Sequence, residues 1–573
     1  MDKTMTKQHL IQLIPSKAQY KPNEEIVLYL HSKLEEIARY QWCLYDLEQL
    51  ILSGEGEIRV GITGIEIPTI STGSGAYGVF VKVTNGDNIK LEAETAFDIA
   101  EHWHEAPRYG FLSDFKPGEA ADNTDVEFLN KHHINIVQFY DWMYRHDQLV
   151  PEVDDFTDPL GREISLQVVR EKIAGLREHG IASMAYAAVY ASLADYAAKF
   201  PDQVLYRNDG VPYSLGSFFY IMDISTDSAW TPHIIAEFLK VLELGFDGLH
   251  LDQYGMPKKA IRTLNGKKEV VALKQLYPAF INRTREVIAP RYPVAGLIFN
   301  NVSNYPVHTT ANALQDIIYI EVWDPMTYLR DLKQLIDRAR ELSGKQVVLA
   351  AYLPAFHPER AAPLAEAEFG ATLVMATIFA SGGYHLLLGE QENVLTEGYY
   401  PKYGFVSDRF KQTLTFYYDF IVMYRHLLYD FQLEDISLTF SGGINTEISF
   451  HKDDIIFSPN QHVNSVWTIV KEKPGYLILH AINLIGLDND VWHQGKKQAP
   501  AYLDKIEVTI EMLEEIEGVY WATPDGNSIQ AKALDYNWVT RDDYNGRYIR
   551  FVLPELSYWS MVYVKTKHGV ATA

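Results

Sequence analysis

Eight short apolar runs, each ending in polar residues and alternating with helix-like stretches, constrain this 573-residue chain more than any other feature. The runs are YGFLSDF (109–115), INIVQFYDW (134–142), IASMAYAAVY (181–190), FDGLHLDQYG (246–255), VAGLIFNN (294–301), DIIYIEVW (316–323), QVVLAAYLP (346–354) and GGYHLLLGE (382–390). Between them lie LQVVREKIAGLREHG, PHIIAEFLKVLELG, LRDLKQLIDRARELSG and EFGATLVMATIFA, whose apolar residues recur at helical spacing. Several end in glycine, as helix C-termini often do. Strands covered on both faces read as unbroken apolar runs, so the alternation predicts a central (β/α)8 TIM barrel. In a barrel the C-terminal strand ends share one rim, where active sites sit. Those ends carry Asp114, Tyr140 and Asp141, Tyr190, Asp252, Asn300 and Asn301, Glu321, Tyr352 and Glu390.

The flanks lack helical periodicity. Runs such as EEIVLYLHS, GEIRVGI and YGVFVKVTN near the start, and VNSVWTIVK, YLILHAINL, KIEVTIEM and YIRFVLP near the end, are short alternating strands between turn residues. Three domains are expected: a β-sandwich over 1–104, the barrel over 105–440 and an antiparallel β-domain over 441–573. The window 370–389, GATLVMATIFASGGYHLLLG, is the most apolar long stretch. Its glycine pair, histidine and hydroxyls read as a buried helix and strand, not a membrane span. The N-terminal apolar stretch is broken by Gln and Pro and is too short for a secretory signal. The chain is therefore expected in the cytoplasm if Met1 is its native start, or outside the cell if a leader has been removed.

Composition narrows the partners. Lys+Arg number 51 against 75 Asp+Glu, a net charge of −24, which disfavours nucleic acid or an anionic membrane. One cysteine, Cys43, excludes an internal disulfide and any multi-cysteine metal site. Aromatic residues reach 13%, and Tyr and Trp offer flat apolar faces with polar edges that suit sugar rings as well as cores.

The strongest chemical signal is a carboxylate pair, Asp252 in GLHLDQYG and Glu321 in YIEVW, 69 residues apart at two strand ends. Hydrolysis of a glycosidic bond needs two carboxyl groups, one to attack or direct water and one to protonate the leaving oxygen. Retaining enzymes place them about 5–5.5 Å apart, which barrel strands 4 and 6 can meet across the rim. The blander alternative is that each acid caps a loop or pairs with an arginine. Glu321, between Ile320, Val322 and Trp323, should be buried enough to stay protonated, whereas donors around Asp252 should hold it ionised. QFYDWMYRHD (138–147) could hydrogen-bond and stack on a pyranose, or be a loop tied by an Asp–Arg pair. The expected cleft lining is Gln138, Tyr140, Asp141, His146, Tyr190, Gln253, Tyr254, Asn300, Asn301, Trp323, Asp324, Tyr352 and Glu390.

Other patterns carry less. GSGAYG (73–78) matches a dinucleotide fingerprint but precedes a strand, so its glycines suit a hairpin. LDNDVWH (487–493) has calcium-like oxygen ligands without the closing glutamate. His102 and His104, and His132 and His133, lack a fitting third ligand and read as loop or packing residues. Neither a GxSxG elbow nor a Walker A sequence occurs.

QFYDWMYRH, GLHLDQYG, NNVS and YIEVW, in this order between two β-domains, resemble glycoside hydrolase family 66, and the resemblance runs from IPSKAQYKPNEEI (14–26) to the C-terminal domain. That family comprises endo-dextranases and cycloisomaltooligosaccharide glucanotransferases. The resemblance implies an immunoglobulin-like first domain, a catalytic barrel, a Greek-key last domain and a retaining mechanism on α-1,6-glucan. It makes Asp252 the nucleophile, Glu321 the general acid/base and Asp141 a further acid that holds the −1 sugar. No metal or organic cofactor is implied. The cyclising members carry a carbohydrate-binding module late in the barrel, and GEQENVLTEGYYPKYGFVSDRF (389–410) leaves no room for one. The dextranase branch is expected, acting on dextran or isomaltooligosaccharides as a monomer or weak homo-oligomer. The alternatives are a glucanotransferase and a glucan-binding protein without catalysis.

Overall fold

The computed structural model describes residues 10–68, 74–85, 89–359, 363–398, 403–541 and 544–567. Eight parallel strands form its centre: β1 (Tyr109–Leu112), β2 (Ile136–Phe139), β3 (Ala182–Ala188), β4 (Gly248–Asp252), β5 (Gly296–Phe299), β6 (Ile318–Glu321), β7 (Val347–Ala350) and β8 (Tyr384–His385). Ladders join β5-β4-β3-β2-β1 and β6-β7-β8. Parallel bridges Asn300–Tyr319 and Gly110–Leu388 seal the two seams, so the sheet closes into a barrel with no free edge.

A helix follows each strand: Thr124–Lys131, Leu166–Glu178, Trp230–Leu244, Leu273–Ile288, the single turn Val307–Thr310, Leu329–Ser343, Leu364–Ser381 and Asp408–Met423. Gly344 and Gly382 end two of them in left-handed conformation, at φ 61° and 89°, which a side chain would strain. Leu364–Ser381 is apolar and long enough to cross a membrane, yet 72% of it is buried against the barrel. Its apolar residues lie all round because its neighbours are all round.

The N-terminal unit stacks a three-stranded antiparallel sheet (Ile11–Pro15, Ile26–Ser32, Gly61–Ile67) on a four-stranded one (Ala38–Asp46, Gln49–Ile58, Gly75–Asn85, Ile89–Ile99). Residues 26–32 alternate buried and less buried, the period-2 pattern of a half-covered strand. GSGAYG leads into strand Gly75–Asn85 and opens no helix, although Gly73 lies outside the described residues. The C-terminal unit pairs a large mixed sheet built on Val466–Lys473, Tyr476–Asn483, Trp559–Thr566 and Ile516–Ala522 with a second sheet, Ile448–His451, Leu503–Glu511, Tyr544–Leu556 and Tyr536–Arg541.

Buried polar groups tie the N-terminal unit to the barrel and to the C-terminal unit. Asp98 of the last N-terminal strand receives Arg108 at 2.8 Å, Arg425 at 3.0 Å and Gln19 at 3.0 Å. Glu94 accepts from Ser528 Oγ and from the Ile529 amide of the C-terminal unit.

Candidate active site

Asp252 is the last residue of β4 and Glu321 the last of β6. Asn300, one residue past β5, stands between them on the intervening strand. Its Nδ2 donates to Asp252 Oδ1 at 2.8 Å and to Glu321 Oε2 at 3.1 Å. Those two oxygens are therefore at most about 6 Å apart, on the retaining side of the separations used in glycoside hydrolysis. The other oxygen of each acid is also held: Tyr186 donates to Asp252 Oδ2 at 2.8 Å and Tyr352 to Glu321 Oε1 at 3.2 Å. Trp323 gives Glu321 a further donor, and the Gln253 amide gives one to Asp252.

Below the acids the barrel is filled by aromatic side chains in layers. Ala188 of β3 lies in register with Asp252, so Tyr186, two residues back on the same face, rises towards it. Tyr140 packs on Tyr186, and His250 packs on Tyr186, Tyr109 and Tyr319. Burial holds the His250 imidazole near pKa 3, so it is neutral, and its Nδ1 is 2.7 Å from the Tyr109 hydroxyl. Gln138, in register with Met184, is buried within this filling and does not reach the rim.

Electrostatics differ from the sequence expectation at one acid. Burial pushes both carboxyls up, and the charge of Glu321 pushes Asp252 further, to about 7, despite the donors at Tyr186 and Asn300. The donors alone do not hold Asp252 ionised, because each carboxylate sits beside the other in a low-dielectric layer. The pair shares a proton and titrates as a unit. Both carboxyls are buried and raised, and the charge of Glu321 weighs on Asp252 in addition, so the two protons leave in coupled steps.

Around this pair lie Asp141, His146 and Trp323. Asp141 directly follows Tyr140 in a left-handed conformation, φ 47°, with Arg162 3.6 Å from its carboxylate and bonded to its carbonyl. His146 is stacked on Phe219 at 4.2 Å and lines a small cavity together with Asp141 and Arg162, and burial lowers its pKa to about 3. Trp323 packs on Tyr352, and Tyr254 on Tyr190 and Phe219. Asp324 is exposed just beyond.

Four residues expected to contact sugar are instead spent on the scaffold. Asn301 is fully buried, donates to the carbonyls of Phe299 and Tyr319, and accepts from Thr310. Gln253 bonds the carbonyls of Asn300 and Tyr305 and accepts from the Gly255 amide. The Tyr190 hydroxyl donates to the Met256 carbonyl and accepts from the Tyr254 amide. Glu390 takes the amides of Ser113 and Asp114 and the Ser113 hydroxyl, joining β8 to β1. Conversely, neither residue type nor periodicity marks Tyr186 or Arg162 in the sequence. The only signal for Tyr186 is its place two residues before the position paired with Asp252.

Along most of its length the chain is similar to known glycoside hydrolases. The family model for glycosyl hydrolase family 66 matches residues 15–563. Two cycloisomaltooligosaccharide glucanotransferases of Niallia circulans are each 24% identical, over 86% of this chain and 64% of one relative, and over 96% and 72% for the other. A dextranase of Streptococcus salivarius is 23% identical over 86% of this chain and 68% of its own. The chain thus spans a little under two thirds of the first of these relatives. The crystal structure of a Paenibacillus sp. cycloisomaltooligosaccharide glucanotransferase complexed with cycloisomaltoheptaose has the same fold, with a TM-score of 0.85 at 21% identity over 97% of this chain and 100% of that one. A family model that spans nearly the whole sequence places the chain in glycosyl hydrolase family 66.

Proposed function

We propose that the chain is a retaining endo-hydrolase of α-1,6-glucosidic linkages in dextran or isomaltooligosaccharides. The observation that carries this reading is the Asn300 amide shared by Asp252 and Glu321, which keeps two acids within reach of one anomeric centre. Asp252 attacks the anomeric carbon as Glu321 gives its proton to the departing glycosidic oxygen, and a covalent β-glucosyl ester forms. Glu321, now ionised, takes a proton from water, and the hydroxide oxygen displaces Asp252 from the sugar. Asp141, held by Arg162 beside the cleft, suits the hydroxyls of the −1 sugar. Tyr186 and Asn300 stabilise the Asp252 carboxylate as it is released.

A second reading, intramolecular transfer, shares the first half-reaction and differs only in the acceptor. The names of the two Niallia relatives favour it. The short segment 389–410 favours hydrolysis, because in the family the cyclising members carry an inserted module there. We further read the flanking units as immunoglobulin-like and Greek-key domains, with the barrel over 105–440. Dextran incubation with chromatography of products over time tests the function: shortening linear oligosaccharides support hydrolysis, and cyclic or lengthened products support transfer. Asp252→Gly separates both from a non-catalytic binding protein, since it should abolish turnover and leave dextran binding intact.

A further inference from the structure

The loop 487–498 of the C-terminal unit reaches the rim of the barrel on the side of Glu321. Its Trp492 amide and indole donate to the carbonyls of Thr327 at 3.1 Å and Met326 at 2.7 Å, and its Asp490 carbonyl accepts from Leu329 at 3.0 Å. Those partners belong to the segment between Trp323 and helix Leu329–Ser343. On the other side, the Lys496 amide donates to the Glu366 carbonyl at 2.9 Å, in the first turn of the helix that follows Tyr352. The Gln494 carbonyl presses so closely on Gly370 that an added Cβ would meet it at 2.8 Å. One loop therefore grips the elements that follow both Trp323 and Tyr352, and both of those residues donate to Glu321.

At the centre of the loop is a fully buried ammonium. Lys496 Nζ donates to the Val491 carbonyl at 2.7 Å, the Asn489 side-chain oxygen at 2.9 Å and the Gln494 carbonyl at 3.0 Å. All three N–H donors are used, with Asp488 and Asp490 supplying negative charge nearby. The oxygen-rich LDNDVWH sequence is thus organised around an internal cation. Removing it would take a donor from three inward oxygens, leaving Asn489 Oδ1 with only the Val491 amide and the Val491 carbonyl with only the Gln494 amide, a costly arrangement in a buried site.

We infer that Lys496 is a positioning residue for Glu321: it orders the C-terminal loop that holds the segments after Trp323 and Tyr352, and so fixes the hydrogen bonds that aim the acid. This rests on the functional reading above for its effect on catalysis, but not for its effect on order.

Two variants test it. Lys496→Met keeps the aliphatic stem and removes the donors; Trp492→Phe keeps an aromatic ring but removes the indole donor together with part of the buried ring system. In hydrogen–deuterium exchange, both should speed exchange at residues 323–329 and 364–370 and leave the N-terminal sandwich unchanged. Unchanged exchange at those residues in both variants overturns the proposal. For catalysis, kcat/KM is compared between an isomaltooligosaccharide and the corresponding glycosyl fluoride, whose departure needs little protonation. Lys496→Met should lose about tenfold on the sugar leaving group and less than about twofold on the fluoride. Equal losses on both overturn the positioning role. If Lys496→Met fails to fold, Trp492→Phe carries the same comparison with a smaller expected ratio. A parent chain inactive on both substrates would overturn the functional reading, and the exchange experiment would still decide whether Lys496 orders the two segments.

Discussion

Asp252 and Glu321 share one donor, the Asn300 side-chain amide, at 2.8 and 3.1 Å. A single group thus sets both the spacing of the acids and the charge each can bear. Asn300→Ala removes the donor that lowers both pKa values, so both should rise. The acidic limb of the kcat/KM profile should move to higher pH, because Asp252 then needs more alkaline conditions to ionise. kcat should fall about 10²–10³-fold, the usual loss for a preorganised donor in a dry site. Kinetics within threefold of the parent would remove Asn300 from the mechanism.

The pair itself predicts a bell-shaped profile. Below the first ionisation both acids are protonated and the nucleophile is neutral; above the second both are charged and the acid has gone. Glu321→Gln removes the charge that helps raise Asp252 towards 7. On a glycosyl fluoride, which needs no acid, that variant should keep glycosylation, shift its acidic limb to lower pH and lose the alkaline limb. On dextran it should be nearly inactive. Full activity on dextran would end the assignment of Glu321 as the acid.

Tyr186→Phe tests a contact that residue type alone does not reveal. Loss of the hydroxyl at 2.8 Å should raise the Asp252 pKa and cost about 10–100-fold in kcat, of the order of one charged hydrogen bond. Circular dichroism and Tm should stay close to the parent, since the ring still packs on Tyr140. A large loss of Tm with unchanged kcat would reverse this reading.

These residues also show what the sequence carries and what it hides. The barrel is legible because strands covered on both faces must be apolar throughout, and Asp252 and Glu321 stand out where such runs end. Neighbours on a strand, however, point to opposite faces. Of Asn300 and Asn301 only the first faces the cleft, and of Asp252 and Gln253 only the first again. Residue type gives both members of each pair the same standing; strand register separates them. Tyr186 and His250 are hidden for the converse reason, being polar-tipped aromatics inside runs where a large side chain is ordinary filling. Arg162 lies on a hairpin after β2 that no periodic signal links to Asp141.

Away from the cleft, Asp98 offers a stability test. Burial pushes its carboxyl up, but Arg108 and Arg425 outweigh this and hold it below the ordinary range. A lowered native pKa stabilises the fold above the unfolded value of about 4, and the contribution is lost as pH falls through the native value. Asp98→Asn leaves the buried Arg108 guanidinium without its counter-charge and Arg425 with only Glu105 at 4.0 Å, and should cost about 3–5 kcal/mol. Chemical denaturation at pH 7 should show that loss, and the gap between parent and variant should narrow with acid below pH about 4. A gap independent of pH down to the acid transition would contradict the pairing.

Gly248, at the start of β4, links packing to catalysis. A Cβ there would sit 2.5 Å from the Gly296 carbonyl oxygen and 2.5 Å from Met184 Sδ. The methionine can swing aside, but the carbonyl belongs to β5 and can only move with its strand. Gly248→Ala should therefore push β4 from β5, the two strands that carry Asp252 and lead to Asn300. The overpacking should cost about 1–3 kcal/mol. It should also lower kcat, because a few tenths of an ångström lengthens the bond from Asn300 to Asp252. Adding Met184→Ala relieves only the sulfur contact, so it should recover part of the Tm and little of the kcat. Recovery of both would trace the defect to the methionine and not to the strand spacing; parental Tm and kcat in the single variant would show that the barrel absorbs the methyl group.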